Sequence, residues 1–253
     1  MSNPSDLHTH MPKKTPLRRK PARSKPAARA RLSAANADPR RLYELAVQTP
    51  DAEIDFVATT FRRLTGRPAK HLREDFCASA ASACEWVRRR PSNSAVGLDL
   101  NKAILAWGIR HNVGALPEAD RERIRLIHRD VLDPGAEGAG ADIVLAMNFS
   151  YWIFKTRPLL KRYFETVHRS LVKDGVFFLD IYGGYESMKV QCEKRREKGF
   201  TYIWDQADYN PINGDLTCHI HFAFKRGPRL EKAFTYHWRL WTCLLYTSPS
   251  PRD

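Results

Sequence analysis

The chain has 253 residues, 43% of them hydrophobic, with 42 Lys and Arg against 28 Asp and Glu for a formal net charge of +14. That length and apolar content suit one sizeable core with at most a small appendage, and no run approaches the roughly 18 uninterrupted apolar residues of a membrane span. The start of the chain lacks the apolar stretch of a secretory signal, so a cytoplasmic protein without membrane contact is expected.

The charge is unevenly spread. Residues 1 to 41 hold 11 basic side chains against Asp6 and Asp38, a net of +9, which leaves +5 for all the rest. From Met1 to about Asn36 the chain is Pro, Lys, Arg, Ala and Ser with hardly a large apolar residue, a composition that cannot offset the entropy of ordering. Residues 1 to 37 are therefore expected to form a disordered basic tail. It serves either as a solubilising leader or, being almost free of acids, as a nucleic-acid contact or an organelle address. The five cysteines are odd in number and none has the close pairing that holds zinc, so reduced thiols are expected.

Asp38-Pro39 is a cap and first-turn pair for a short helix carrying Leu42, Leu45 and Val47 that ends near Thr49-Pro50. Ile54, Val57, Phe61 and Leu64 fall at three- and four-residue spacing on a second helix that Gly66 closes. Beyond Pro68 short apolar strands alternate with helical segments: strand at 71–74, helix at 79–90, strand at 95–100, helix at 102–111, strands at 123–127 and 142–147. A helix follows at 158–172 with Leu159, Tyr163, Val167 and Leu171 inward, stopped by Lys173-Asp174-Gly175, and then a strand at 176–182. A helical stretch around 186–198 precedes extended segments at 201–204, 216–224 and 232–241, with a turn at Asn213-Gly214. The alternation predicts an α/β fold: a doubly wound, Rossmann-like, mostly parallel sheet with helices on both faces and antiparallel strands at the C-terminal end. The domain is expected over 38–242. The last run, 243–253, breaks the preceding register and resembles a translated sequencing adapter, so the domain is expected to be truncated at its C-terminal end.

In such a sheet ligands sit at the carboxyl ends of the strands. Four ends carry candidate residues: the acid-rich turn from Arg73 to Ala80; Asp99, spaced to accept hydrogen bonds from ribose hydroxyls; Asp130, able to accept from an adenine amino group; and Asn148-Phe149-Ser150-Tyr151. A dinucleotide and S-adenosylmethionine both carry a ribose. A pyrophosphate, however, requires glycines so that backbone amides can close on it, and residues 72 to 82 contain none. The phosphate-free cofactor survives that test.

Leu72-Arg73-Glu74-Asp75-Phe76-Cys77, then Glu85-Trp86-Val87, Gly97-Leu98-Asp99-Leu100 and Ala106-Trp107-Gly108, resemble the class I S-adenosylmethionine-dependent methyltransferases, above all a branch in which Leu-Arg-Glu-Asp-Phe-Cys replaces the glycine-rich first motif. The resemblance spans roughly Leu42 to Thr242. It implies a cofactor site made by Arg73, Glu74, Phe76, Cys77 and Ala78 at the first turn, Asp99 and Leu100 at the second, Asp130 and Val131 at the third, and Asn148 and Phe149 at the fourth. Glu74 matches the acid of the first motif, and Ala78 and Ala80 stand where glycines are expected; a methyl there narrows the site if the backbone needs positive φ. The implied activity is direct displacement of the sulfonium methyl by an unidentified acceptor, with positioning and desolvation as the enzyme's share.

Other readings stand beside these. Asp99 and Asp130 can be strand-ending surface acids. Asn148 to Tyr151 shares its first and last residues with the Asn-Pro-Pro-Tyr loop of amino-methylating enzymes but lacks both prolines. No catalytic base is assignable; Tyr151, Asp180 and Tyr182 are substrate-side candidates only. His219 and His221 share a strand face and in geometry reach a metal with Cys77 or Cys84, but no close Cys/His quartet accompanies them and no metal site is expected. The aromatic residues from Trp204 to Trp241 make either a substrate-stacking sheet or the packed inner face of antiparallel strands. A nucleic-acid-binding protein using the basic tail, an RNA methyltransferase included, and a dinucleotide-dependent oxidoreductase are the rival functions. The sequence leaves the oligomeric state open.

Overall fold

A computed structural model describes residues 32–241. Residues 32–37, expected within the tail, already form a turn in which Ser33 N–H donates to the Asn36 side chain at 2.8 Å. The rest of the basic tail, and the run from 243 onward, lie outside the described residues. Helix α1 (Pro39–Val47) starts as expected, the Asp38 carboxylate accepting from Arg40 N–H at 2.9 Å, and α2 (Pro50–Thr65) closes on Gly66 at φ 74°.

Five parallel strands follow, β1 (His71–Asp75), β2 (Ser94–Asp99), β3 (Ile124–His128), β4 (Ala141–Ala146) and β5 (Leu171–Leu179), in the order β3-β2-β1-β4-β5. The helices α3 (Ala81–Arg89), α4 (Lys102–His111), the short α5 (Glu118–Arg121) and α6 (Arg157–Ser170) are interleaved. Strand β4 shows why the sheet is covered on both sides. Its Ile143 and Leu145 enter the cluster with Ile54 and Phe61 of α2 and Trp86 of α3, whereas Val144 and Ala146 enter the one with Tyr163 and Val167 of α6. The strand order reverses at β1, with β2 on one side and β4 on the other, and there a ligand crevice is expected.

Two boundaries differ from the periodicity. Thr156 caps α6 by accepting from Leu159 N–H, and the buried stripe runs through Leu160, Tyr163 and Val167 while Leu159 points out. Leu171 is no longer helical: it pairs with Ala141, a bulge follows, and pairing resumes at Ile143 with Val176. The expected stop at Lys173 to Gly175 is thereby absorbed into β5.

The second sheet is antiparallel, ordered β6 (Gln191–Glu197), β7 (Phe200–Tyr209), β8 (Asp215–Phe224), β9 (Leu230–Arg239). Here the helix expected over 186–198 is overturned. A short turn at Tyr185–Met188 leads into a full strand, every residue of which pairs with β7 from Gln206 back to Phe200. The helix-forming charges of Gln-Cys-Glu-Lys-Arg-Arg-Glu lose to this pairing, which Gly199 at φ 96° permits by closing the connection. Lys194 and Arg196 then guard an otherwise open sheet edge. Alternation sends Phe200, Tyr202, Ile220 and Phe222 to an inner face that packs against Leu42 and Ala46 of α1. Among the described residues no helix is long and apolar enough to cross a membrane.

Candidate active site

The turn leaving β1 is shaped by backbone. Phe76, Ala78 and Ala80 all lie at positive φ, 53°, 47° and 59°, the conformation that favours glycine and costs an L-residue roughly 1–2 kcal/mol. Ala78 and Ala80 thus both adopt the positive φ that a glycine would accept more easily. Several contacts hold the conformation. Cys77 N–H donates to Leu98 O at 3.0 Å, Ala78 N–H to Asp99 Oδ2 at 2.9 Å, and Asn112 Nδ2 to Ser79 O at 3.0 Å. Helix α4 comes close enough for the last of these because Gly108 has no side chain; a Cβ there would lie 2.6 Å from Ser79 O.

Asp99 is fixed at both oxygens, Oδ1 accepting from Asn101 N–H at 2.8 Å. Glu74 is buried, accepts from Ala83 N–H at 2.9 Å, and is pushed up to about 8 by desolvation, which the Ala83 bond only partly offsets. Both acids line a cavity of about 210 Å³ together with Phe76, Cys77, Ala78 and Asn148. No Lys, Arg or His lines it. Arg73, expected in the site, lies elsewhere. It is buried with Nε 2.9 Å from Asp75 Oδ1 and NH1 donating to Gly138 O, while Tyr163 donates to the same carboxylate at 2.9 Å. Arg73 lies two residues short of the strand's end and is buried in its pairing with Asp75 and Gly138, away from the cavity.

A neighbouring cavity of about 630 Å³ is lined by Phe76, Asp99, Leu100, Asp130, Val131 and Ile153, with Lys102, His128 and Arg129 at its basic side. Val131 is buried and Asp130 accepts from Leu132 N–H at 2.9 Å. The second- and third-strand candidates therefore converge on one side of Asp99.

At the end of β4, Asn148 and Phe149 also adopt positive φ, 58° and 56°. Asp180, just past β5, holds them by accepting from both amides, at 2.8 and 2.9 Å. The Tyr151 hydroxyl donates to Asp180 O at 3.0 Å from a fully buried position. Of the three substrate-side candidates, Asp180 and Tyr151 brace this loop, and neither is among the residues lining the cavities of the cleft; Tyr182 does line one.

That third cavity, about 340 Å³, shares Tyr43, Asn148 and Trp238 with the one beside Asp99. Phe149, Tyr182, Tyr202 and Trp204 add further aromatic wall, and β6 adds Glu193 and Arg195. Neighbouring rings are in contact, with Phe149–Tyr182, Tyr182–Trp204 and Trp204–Trp238 centroids 5.7, 6.4 and 6.1 Å apart. The aromatic strands thus do both things foreseen for them: Phe222 packs in the core, whereas Trp204 and Trp238 face the chamber. Tyr43, Glu193 and Arg195 escaped sequence reasoning. Tyr43 sits on an unremarkable amphipathic helix, and Glu193 and Arg195 share a face only once 191–197 is a strand. His219 and His221 do share a face, the one turned away from the chamber, with rings 6.1 Å apart. Among the described residues no group of three or more His, Cys, Asp and Glu is disposed to hold a metal.

No family model and no curated protein sequence matches the chain. Solved structures do. An S-adenosylmethionine-dependent methyltransferase from Clostridium acetobutylicum superposes with a TM-score of 0.62 at 16% identity, over 82% of each chain. An amino pentose methyltransferase from Micromonospora echinaspora gives 0.63 at 18%, over 82% of this chain and 84% of that one. A sugar N-methyltransferase from Streptoalloteichus gives 0.61 at 17%, over 88% and 86%. At these identities the likeness is one of fold.

Proposed function

We propose that residues 38–242 form an S-adenosylmethionine-dependent methyltransferase domain of the branch with the Leu-Arg-Glu-Asp-Phe-Cys first motif. One observation carries the reading: Glu74 and Asp99 line the cavity at the glycine-free turn after β1, and among the described residues no Lys, Arg or His lines that cavity. A pyrophosphate there would meet the Asp99 carboxylate with no lining cation to neutralise it. A phosphate-free nucleoside bearing positive charge meets what it needs, which disfavours the dinucleotide alternative.

The residues fit that cofactor in kind. Asp99, oriented by the Ala78 and Asn101 amides, retains acceptor capacity for ribose hydroxyls. Glu74, buried and without an ion-pair partner among the described residues, suits a cationic amino acid moiety. Leu100, Asp130 and Val131 supply an adenine-side wall with one acceptor, and Cys77 and Phe76 bound the turn. Bound there, S-adenosylmethionine supplies a methyl carbon on a positively charged sulfur, and attack by an acceptor lone pair returns the carbon–sulfur bond electrons to sulfur. The chain's own part is to orient and to exclude water. Asn148 and Phe149, held by Asp180, stand at the junction of the cofactor cavity and the aromatic chamber.

The named activities of the fold neighbours include methylation of amino sugars, which supports a small-molecule acceptor over a nucleic acid. Titration with S-adenosylhomocysteine, S-adenosylmethionine and NAD tests the proposal. Saturable binding of both sulfur compounds and none of NAD is expected. Binding of NAD alone would overturn it.

A further inference from the structure

We propose that the aromatic chamber is an amine-recognition site, in which Glu193 and the surrounding rings select an acceptor amine that arrives protonated, gives its proton to solvent before transfer and becomes cationic again on methylation; the proposal rests on the methyl-transfer reading of the adjoining cavity. Four observations carry it. The walls are six aromatic rings from α1, the loop after β4, the segment after β5 and the antiparallel sheet, and ring faces attract cations through their quadrupoles. The Glu193 carboxylate on the same wall has neither a hydrogen bond nor an ion-pair partner among the described residues, whereas its neighbour Arg195 is committed to Glu197 at 2.7 Å. Arg195 also shows that this wall accepts positive charge, its guanidinium carbon lying 5.4 Å from the Tyr202 ring centroid. Finally, this chamber and the cavity beside Asp99 are lined by Glu74, Asp99 and Glu193, with Asp75 already paired to Arg73 and Arg195 to Glu197, so among the described residues no uncommitted cation lines these two cavities.

The same features serve the reaction. Once the bound amine has released its proton to solvent, its lone pair forms the carbon–nitrogen bond as the carbon–sulfur bond breaks, so positive charge passes from sulfur to nitrogen, where a wall of ring faces beside one carboxylate stabilises it. Burial raises the ionisation of Tyr43 and Tyr202, so both phenols stay neutral and their rings remain uncharged partners. Tyr182 is fixed by Gln191, whose Nε2 donates to its hydroxyl at 3.0 Å.

The experiment compares three probes of one shape in the presence of saturating S-adenosylhomocysteine: choline, dimethylbutanol with carbon in place of the nitrogen, and dimethylbutanoate with a negative charge. Binding is read by quenching of tryptophan fluorescence, to which Trp204 and Trp238 contribute. Choline is expected to bind about tenfold more tightly than dimethylbutanol. Glu193→Gln should reduce that preference to about threefold while leaving S-adenosylhomocysteine affinity unchanged. Equal affinity for choline and dimethylbutanol, or tighter binding of dimethylbutanoate through Arg195, would overturn the amine assignment. Choline selectivity kept by a protein that fails to bind S-adenosylhomocysteine would support the cation site and overturn the methyl-transfer reading instead.

Discussion

The two cavities that meet at Asn148 are built by different means. The one beside Asp99 is shaped by main chain: three residues in five at positive φ, amides turned onto a carboxylate, and a helix pressed close at Gly108. The chamber beside Glu193 is walled by side chains that ordinary strands and a short helix bring together from residues 43 to 238. A cavity made of backbone resists change, because each substitution alters its shape. A cavity made of side chains can be re-lined without disturbing the strands beneath. The first construction suits a cofactor and the second an acceptor.

The comparison can be broken at the foundation of the cofactor side. Arg73→Leu leaves Asp75 buried with only Tyr163 as partner, and should cost about 3–5 kcal/mol in urea unfolding. An unchanged midpoint would mean that the turn does not depend on what lies below β1.

Glu74 gives the next effect. Its carboxyl is raised from 4.5 to about 8 in the folded protein, so its protonation stabilises the fold fully below the unfolded value. That contribution disappears as pH rises through 8. Between about pH 5 and pH 9 the native protein should lose on the order of 3 kcal/mol relative to Glu74→Gln. Parallel pH profiles of the two proteins would refute the assignment. Binding a cationic cofactor should also release a proton at neutral pH, detectable by calorimetry in buffers of different ionisation enthalpy.

Asp99→Ala should weaken S-adenosylhomocysteine binding by about 2 kcal/mol, roughly thirtyfold, whereas Glu193→Gln should leave it unchanged. If both variants weaken it equally, the two cavities are not functionally separate. The smallest expected effect is a gain. Ala78→Gly removes the strain of φ 47° on a partly buried residue and should raise stability by about 0.5–1 kcal/mol without loss of cofactor affinity, as thermal unfolding with and without S-adenosylhomocysteine would report.

Legibility followed the same division. The parallel half could be read because its signals are local: Asp38-Pro39 starts a helix, Gly66 ends one, and β4 carries the apolar run from Ile143 to Ala146. Segment 191–197 could not be read, since its composition favours helix and only pairing with β7 makes it a strand. Leu159 and Leu160 are interchangeable by spacing until the Thr156 cap fixes the register. The motif by itself places Arg73 with its neighbours at the cleft, whereas its side chain is taken up by Asp75 and by Gly138, a partner distant in sequence that no local pattern supplies.

By itself, then, the sequence determined the order of the parallel elements, the position of an acid at the end of β2, and the absence of a glycine-rich phosphate loop, all of which depend on residues near one another in the chain. The tertiary structure decided that Phe76, Ala78 and Ala80 are held at positive φ, that Asp180 and Tyr151 brace a loop, and that Tyr43, Glu193 and Trp238 enclose one chamber. Those outcomes come from packing between segments distant in sequence, whose energies no local pattern encodes.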